Sequence, residues 1–156
     1  MIQYFKSWSK KEKAAKGILT ESEARELHQK GKIYCAAYSS ANSYLEVMPN
    51  CVMVCFLDIN KKPELNYIFS RSDEGPLFLE QVFIKRFEKT DDATYVEHYI
   101  FKKDGSLFIT KVDYISKMRD EGEGMVNISS NYDHFPDFGQ YEHLLIRDRG
   151  VPKSKF

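Results

Sequence analysis

YIFSRSDEGPLFLEQVFIKRFEKTDDATYVEHYIFKKDGSLFITKVDY, residues 67–114, is a run of long, aromatic-rich segments separated by explicit turn signals. The turns are Arg71-Ser72-Asp73-Glu74-Gly75-Pro76, Lys89-Thr90-Asp91-Asp92 and Lys103-Asp104-Gly105-Ser106. Asp104-Gly105 is the sharpest, because a two-residue type I′ turn needs positive φ at both central positions and Asp followed by Gly tolerates it. Such a loop sets Phe101 opposite Phe108, Tyr99 opposite Thr110 and Glu97 opposite Val112, with Ile100 facing Ile109 and His98 facing Lys111 on the other side. A turn near Asp91 then sets Phe87 opposite Tyr95 and Phe83 opposite Tyr99. One face collects Phe83, Phe87, Tyr95, Tyr99, Phe101 and Phe108, the period-2 pattern of a buried sheet face. The opposite face is mixed, with Glu80, Arg86, His98, Lys102 and Lys111.

Working outward, further strands are expected before this run: 32–39, 43–48, 51–59 and 64–70. They are separated by Ser40-Ala41-Asn42, Pro49-Asn50 and Asn60-Lys61-Lys62-Pro63. Consecutive hairpins with short connections predict an antiparallel meander, curled into a β-barrel or β-sandwich because a long open sheet exposes its edges. The N-terminal part reads as a short strand over Met1 to Phe5 followed by a helical pair. The first helix is Ser9-Lys10-Lys11-Glu12-Lys13-Ala14-Ala15-Lys16, stopped by Gly17. The second opens at Thr20-Glu21-Ser22-Glu23 in capping-box form and closes at Gly31. Lys117 to Gly124 is polar and Gly-punctuated and reads as a loop, Met125 to Ser129 as a further strand, and His143 to Arg147 as a last short helix or strand. The expected fold class is α+β, mostly β, in one domain over 1–156: strand and helical pair over 1–31, antiparallel sheet over 32–130, C-terminal segment over 131–156.

At 156 residues the chain is long enough to bury a full core, and 23 Lys+Arg against 23 Asp+Glu give no bulk electrostatic reason to bind nucleic acid. Cys35, Cys51 and Cys55 lack the C-x₂-C spacing of a zinc knuckle and read as small apolar core residues, so no metal or cofactor is expected. No apolar stretch approaches the roughly 20 residues of a membrane helix, and the start lacks the pattern of a signal peptide, so the expected compartment is cytoplasmic. The sequence carries no G-x-S-x-G, G-x-G-x-x-G, Walker loop or H-E-x-x-H. His98 is the strand histidine to watch, with Glu80 or Tyr99 as candidate partners, but the expectation is a protein without catalytic activity.

Charge is uneven. Residues 113–142 hold seven acids against two bases, whereas residues 1–32 hold eight bases against four acids. An acidic, aromatic segment suits docking to a basic partner, since complementary potential steers association and rings anchor it; a solvated loop of accidental sign is the plainer alternative. This part of the chain ends in His134-Phe135-Pro136-Asp137-Phe138-Gly139-Gln140-Tyr141-Glu142. With that segment, and with its small α+β organisation, the chain resembles bacterial immunity proteins of contact-dependent growth inhibition and related polymorphic toxin systems. The resemblance implies an antitoxin that blocks a cognate toxin domain, such as a nuclease, by steric and electrostatic occlusion, with no direct nucleic-acid or membrane contact. Asp120, Glu121, Glu123, Asp133 and Asp137 are the candidate carboxylates, and Tyr132, Phe135 and Tyr141 the candidate anchors. The order of strand, helical pair and meander also resembles intracellular fatty-acid-binding proteins. That likeness implies the alternative of a small apolar ligand held among Phe83, Tyr95, Tyr99 and Phe101.

Overall fold

Hairpin after hairpin, the chain builds one antiparallel sheet. The computed structural model describes residues 1–150, so the end of the expected C-terminal segment, 151–156, lies outside the described residues. The strands are β1 (Ile2–Ser9), β2 (Ala14–Leu19), β3 (Tyr34–Tyr38), β4 (Ser43–Met48), β5 (Cys51–Leu57), β6 (Pro63–Ser70), β7 (Leu77–Phe87), β8 (Ala93–Phe101), β9 (Ser106–Asp113), β10 (Met118–Met125) and β11 (Tyr132–Asp133). Their order is β10-β9-β8-β7-β6-β5-β4-β3-β1-β2, with β11 paired to β7. All the strands belong to one sheet and it does not close, so the expected barrel or sandwich is replaced by a single open sheet whose two ends are β10 and β2.

The expected helical pair is one helix and one hairpin. Helix α1 (Glu21–Gln29) has the predicted capping box, with Thr20 Oγ1 accepting from Glu23 N–H at 3.1 Å and Glu23 Oε2 accepting from Thr20 N–H at 2.8 Å. It ends as predicted at Gly31, φ +62°, in a Schellman arrangement: Lys32 N–H donates to Leu27 C=O and Gly31 N–H to His28 C=O. The basic segment before it turns instead of coiling. Ser9 Oγ accepts from Glu12 N–H, Lys13 and Gly17 adopt positive φ, and Ala14–Leu19 pairs with β1. That segment had no apolar stripe to bury as a helix, whereas the hairpin seats Trp8 and Ala15 against a cluster of Phe5, Cys35, Tyr44, Cys55 and Leu57. Trp8 stacks on Tyr44 at 5.1 Å, and Lys13 reaches Asp91 in the β7–β8 loop at 3.4 Å, so the hairpin lies across the outer face of the sheet.

The inner face carries the main core: Leu45 and Val47 of β4, Val52, Val54 and Phe56 of β5, Tyr67 and Phe69 of β6, Val82, Tyr99, Phe101 and Leu107 further on. No second sheet covers it among the described residues. The cover is α1, through Ala24 and Leu27, together with the segment after β11, through Phe135, Phe138, Tyr141, Leu144 and Leu145. Tyr141 and Leu144 are fully buried. A hydrogen-bonded chain runs from His28 Nδ1 to Tyr34 Oη at 2.8 Å and on to Tyr141 Oη at 2.9 Å, joining helix, sheet and C-terminal segment. Tyr4 stacks on Phe138 at 5.1 Å, and the guanidinium groups of Arg25 and Arg71 lie over Phe138 and Phe135. Tyr67 Oη donates to Arg147 C=O, and Arg147 pairs with Glu64, closing the far end. The expected terminal element at His143 to Arg147 is neither helix nor strand but turns packed on this face.

The β8–β9 register differs by one residue from the expected one. Gly105 N–H donates to Lys102 C=O at 3.0 Å and Lys102 N–H to Ser106 C=O at 2.9 Å, and of the loop residues only Gly105 has positive φ. This is a three-residue loop with a glycine bulge, not a two-residue type I′ turn; Asp104 stays at negative φ and its Oδ1 accepts from Ser106 N–H instead. Phe101 therefore faces Leu107, Tyr99 faces Ile109, and Phe108 faces Ile100. The expected aromatic face splits: Tyr95, Tyr99 and Phe101 stay inside, while Phe83 pairs with His98 and, like Phe108, lies on the outer face.

The inner-face cover generates a stability test. Tyr141→Ala should cost about 3–5 kcal/mol in urea unfolding, the usual loss for a deleted buried aromatic. Tyr141→Phe should cost about 0.5–1.5 kcal/mol, because one buried hydrogen bond is lost while His28 still partners the hydroxyl of Tyr34. Equal, small effects from both substitutions would mean that the C-terminal segment does not hold the sheet.

A candidate docking surface on the β9–β10 hairpin

Asp120, Glu121 and Glu123 sit not in a loop but in β10, the end strand of the sheet, paired with β9 over its whole length from Met118↔Asp113 to Met125↔Ser106. A polar, glycine-containing stretch can be a strand here because an edge strand needs only one neighbour for its backbone and no buried face. Every residue of β10 is exposed. Arg119 Nε donates to Glu121 Oε1 at 2.9 Å, which leaves Asp120 and Glu123 as the freer charges. The loop that joins β9 to β10 is capped by Asp113, whose Oδ1 accepts from Ile115 and Ser116 N–H and whose carboxyl is held below its usual range by those bonds. Around these acids stand exposed apolar side chains that the sequence reading passed over: Tyr114 and Ile115 at the hairpin tip, Met118 and Met125 at the two ends of β10.

Inside the hairpin, the inner face of the sheet is left open. A cleft of about 620 Å³ is lined by Arg86, Tyr95, Lys111, Asp113, Met118 and Asp120 among others. Its floor is ordered by charge: Lys111 Nζ lies 3.7 Å from Glu97 Oε1, which also accepts from Tyr99 Oη at 3.2 Å, and both charged side chains are buried. Arg86 lies over the Tyr95 ring at 4.6 Å.

The other half of the expected patch lies elsewhere. Beyond β10 the chain crosses the β8–β9 turn, where Val126 N–H donates to Gly105 C=O; the strand expected over Met125 to Ser129 does not form, since Met125 ends β10 and 126–128 are irregular, and a 3₁₀ turn at Ser129–Asn131 leads into β11 beside β7. Tyr132 is 42% exposed and leans on Phe78. Asp133 is engaged by Arg149 at 3.0 Å, Phe135 is half-buried beneath Arg71, Asp137 is exposed, and Tyr141 is in the core. Of the three candidate anchors, Tyr132 alone presents its ring to solvent.

Asp133, His134 and His143 bring their side-chain ligand atoms within 4.8 Å of one another. The two imidazoles are stacked at 3.8 Å with planes 8° apart. An ion about 2.0–2.1 Å from both nitrogens would have to sit far out of both ring planes, away from the in-plane lone pairs. His143 Nε2 is 3.1 Å from His134 C=O, and Arg149 holds the second Asp133 oxygen. This arrangement ties β11 to the C-terminal turns and is not shaped as a ligand set.

His98 pairs with Gln81 Oε1 at 2.8 Å and stacks on Phe83 at 4.1 Å. Its neighbours Glu97 and Tyr99 point to the inner face, so the expected partner Tyr99 is on the far side of the sheet from it. Searches against protein-family models, curated proteins and solved structures find no match to this chain. Among the described residues no helix is long and apolar enough to cross a membrane.

Burial lowers the pKa of both His28 and His98; for His28, Asp137 works against that shift while Arg71 and Arg25 add to it. An unfolded histidine titrates near about 6.5. Below that pH the unfolded chain binds protons that the folded chain resists, so stability falls as pH drops through about 6.5 toward the folded values. Urea midpoints should therefore be lower at pH 5.5 than at pH 7.5 by more in the parent chain than in a His28→Gln, His98→Gln variant. An unchanged pH slope in the variant would assign the dependence to other groups.

Proposed function

We propose that the protein is a non-catalytic inhibitor of the immunity-protein kind, which binds a basic cognate toxin domain, such as a nuclease, and occludes it. The observation that carries this reading is the β9–β10 hairpin: an edge strand exposed along its whole length, bearing Asp120, Glu121 and Glu123 and flanked by exposed Tyr114, Ile115, Met118 and Met125. A nuclease cleft is basic because it must hold phosphates, and carboxylates presented on a rigid strand can occupy the same positions. The exposed apolar side chains supply the contact area that charge alone lacks. The acids of the 131–142 segment take a smaller part in this proposal, since Asp133 is already paired with Arg149.

The alternative, an apolar ligand held among Phe83, Tyr95, Tyr99 and Phe101, is less well supported. Phe83 lies on the opposite face from the other three, and Tyr99 and Phe101 are themselves packed into the buried core.

The reading predicts that Asp120→Lys, Glu121→Lys and Glu123→Lys together weaken binding to a cognate basic toxin domain by more than about tenfold, about 1.4 kcal/mol. The unfolding midpoint should stay near that of the parent, because all three side chains are exposed. Binding should also weaken as salt rises from about 0.05 to 0.5 M. Unchanged affinity in the triple variant, measured by calorimetry or by protection of growth against the co-expressed toxin domain, would remove the hairpin from the proposed site.

A further inference from the structure

We infer that β10 binds its partner through the main chain, accepting an added β-strand whose sequence alternates basic, apolar and basic side chains. The inference rests on the docking reading above and specifies how that surface engages.

The first observation is the direction of the β10 backbone. Val126 N–H donates to Gly105 C=O, continuing the β9–β10 register. Hydrogen-bonded and non-hydrogen-bonded pairs alternate along an antiparallel ladder. Gly124, Gly122, Asp120 and Met118 therefore turn their N–H and C=O groups toward β9. The other edge of β9 agrees: Tyr114 N–H donates to Thr94 C=O and Lys102 N–H to Ser106 C=O, which assigns its even-numbered residues to β8 and its odd-numbered ones to β10. Arg119, Glu121, Glu123 and Met125 consequently direct their backbone groups away from the sheet. A strand added there extends the ladder.

The second observation is glycine without a structural need. Neither Gly122 nor Gly124 has positive φ, and a Cβ built on either meets nothing within 4 Å. The fold could hold larger residues at both positions, and glycine weakens a strand. Their effect is to bare the inner face of the edge: opposite Gly122 stands Ile109, and a notch of about 250 Å³ is lined by Ile109, Lys111, Asp120, Glu121, Gly122 and Glu123. A residue of the added strand opposite Gly122 would lower its side chain into this notch against Ile109. Its two neighbours would project to the outer face beside Glu121 and Glu123, where lysine or arginine is complementary.

Acids on an edge also discourage unwanted pairing. That role accounts for Asp120, Glu121 and Glu123 against a second copy, whose own β10 would bring like charges together, but it does not account for the glycines. The opposite edge of the sheet is less suited to pairing, because Gly17, φ +67°, interrupts β2.

The test compares two substitutions that remove the same charge. Glu123→Gln keeps the outward N–H, whereas Glu123→Pro removes it without touching the ladder to β9. The probe is a fluorescein-labelled peptide of alternating lysine and valine, followed by anisotropy, with amide hydrogen exchange on the full chain. Main-chain pairing predicts binding about tenfold weaker for the proline variant than for the glutamine variant. It also predicts that the peptide slows exchange at Arg119, Glu121, Glu123 and Met125. Gly122→Val, which fills the notch, should weaken binding without loss of the folded baseline. If the peptide binds but proline and glutamine variants bind it equally and the four amides stay unprotected, the surface acts through side chains alone; the pairing is then overturned while the docking reading stands. If lysine–valine peptide binds no better than a serine–valine peptide and the charge-reversed triple variant retains the toxin domain, both fail. A β10-dependent dimer of the chain in sizing experiments would replace the foreign strand with a second copy and overturn the proposed occupant.

Discussion

Everything on the inner face depends on the burial of Tyr141 against the sheet. An open antiparallel sheet with Val52, Val54, Tyr67, Phe69 and Tyr99 on one face is not stable with that face in water, and a single nine-residue helix is too small to cover it. Phe135, Phe138, Tyr141 and Leu144 complete the cover, and the chain of hydroxyls from His28 through Tyr34 to Tyr141 fixes where they lie. Because Tyr34 and Tyr141 are buried, their hydroxyls need partners inside the protein; the bond between them specifies one seating of the segment rather than a range of apolar contacts.

The cover is uneven, and the unevenness divides the molecule. From β3 to β7 both faces are occupied, the outer one by the β1–β2 hairpin through Trp8 and Lys13. From β8 to β10 the packing thins: Glu97 and Lys111 are the last buried charged pair, and one strand further out β10 has nothing buried. The surface proposed for docking is thus the part of the sheet that the fold itself uses least. Its backbone is still held in register by β9, which gives exposed side chains fixed spacing.

Much of the strand order was legible because turn chemistry and alternation are local. Ser43–Met48 and the α1 capping box follow directly from residue types whose partners lie within a few positions. The misread parts failed for identifiable reasons. Asp104-Gly105 satisfies the two-residue turn and the three-residue loop equally well, and the choice between them lies in the hydrogen bonds of Lys102 and Ser106; one residue of difference sends Phe108 outward. Lys10 to Lys16 has the composition of a helix surface, but its fate is decided by pairing with Ile2–Ser9, a neighbour no periodicity announces. β10 lacks any apolar pattern, because a strand with both faces in water need not have one. Tyr132, Phe135 and Tyr141 look alike in sequence, and burial separates them only after the C-terminal segment has been folded back onto the sheet.

That last arrangement has a consequence for how the chain reaches its fold. The hairpins from β3 to β10 join neighbours and can form as they appear, but the hydrogen bond between Tyr34 and Tyr141 spans 107 residues. Closing so long a loop is entropically slow and is compensated only when the contacts at its end are made. On the ribosome, ten strands are therefore complete in sequence while their apolar inner surface still waits for residues 135–145. In that interval the sheet offers both a sticky face and two open edges, and the carboxylates of β10 keep one of those edges from finding another nascent sheet.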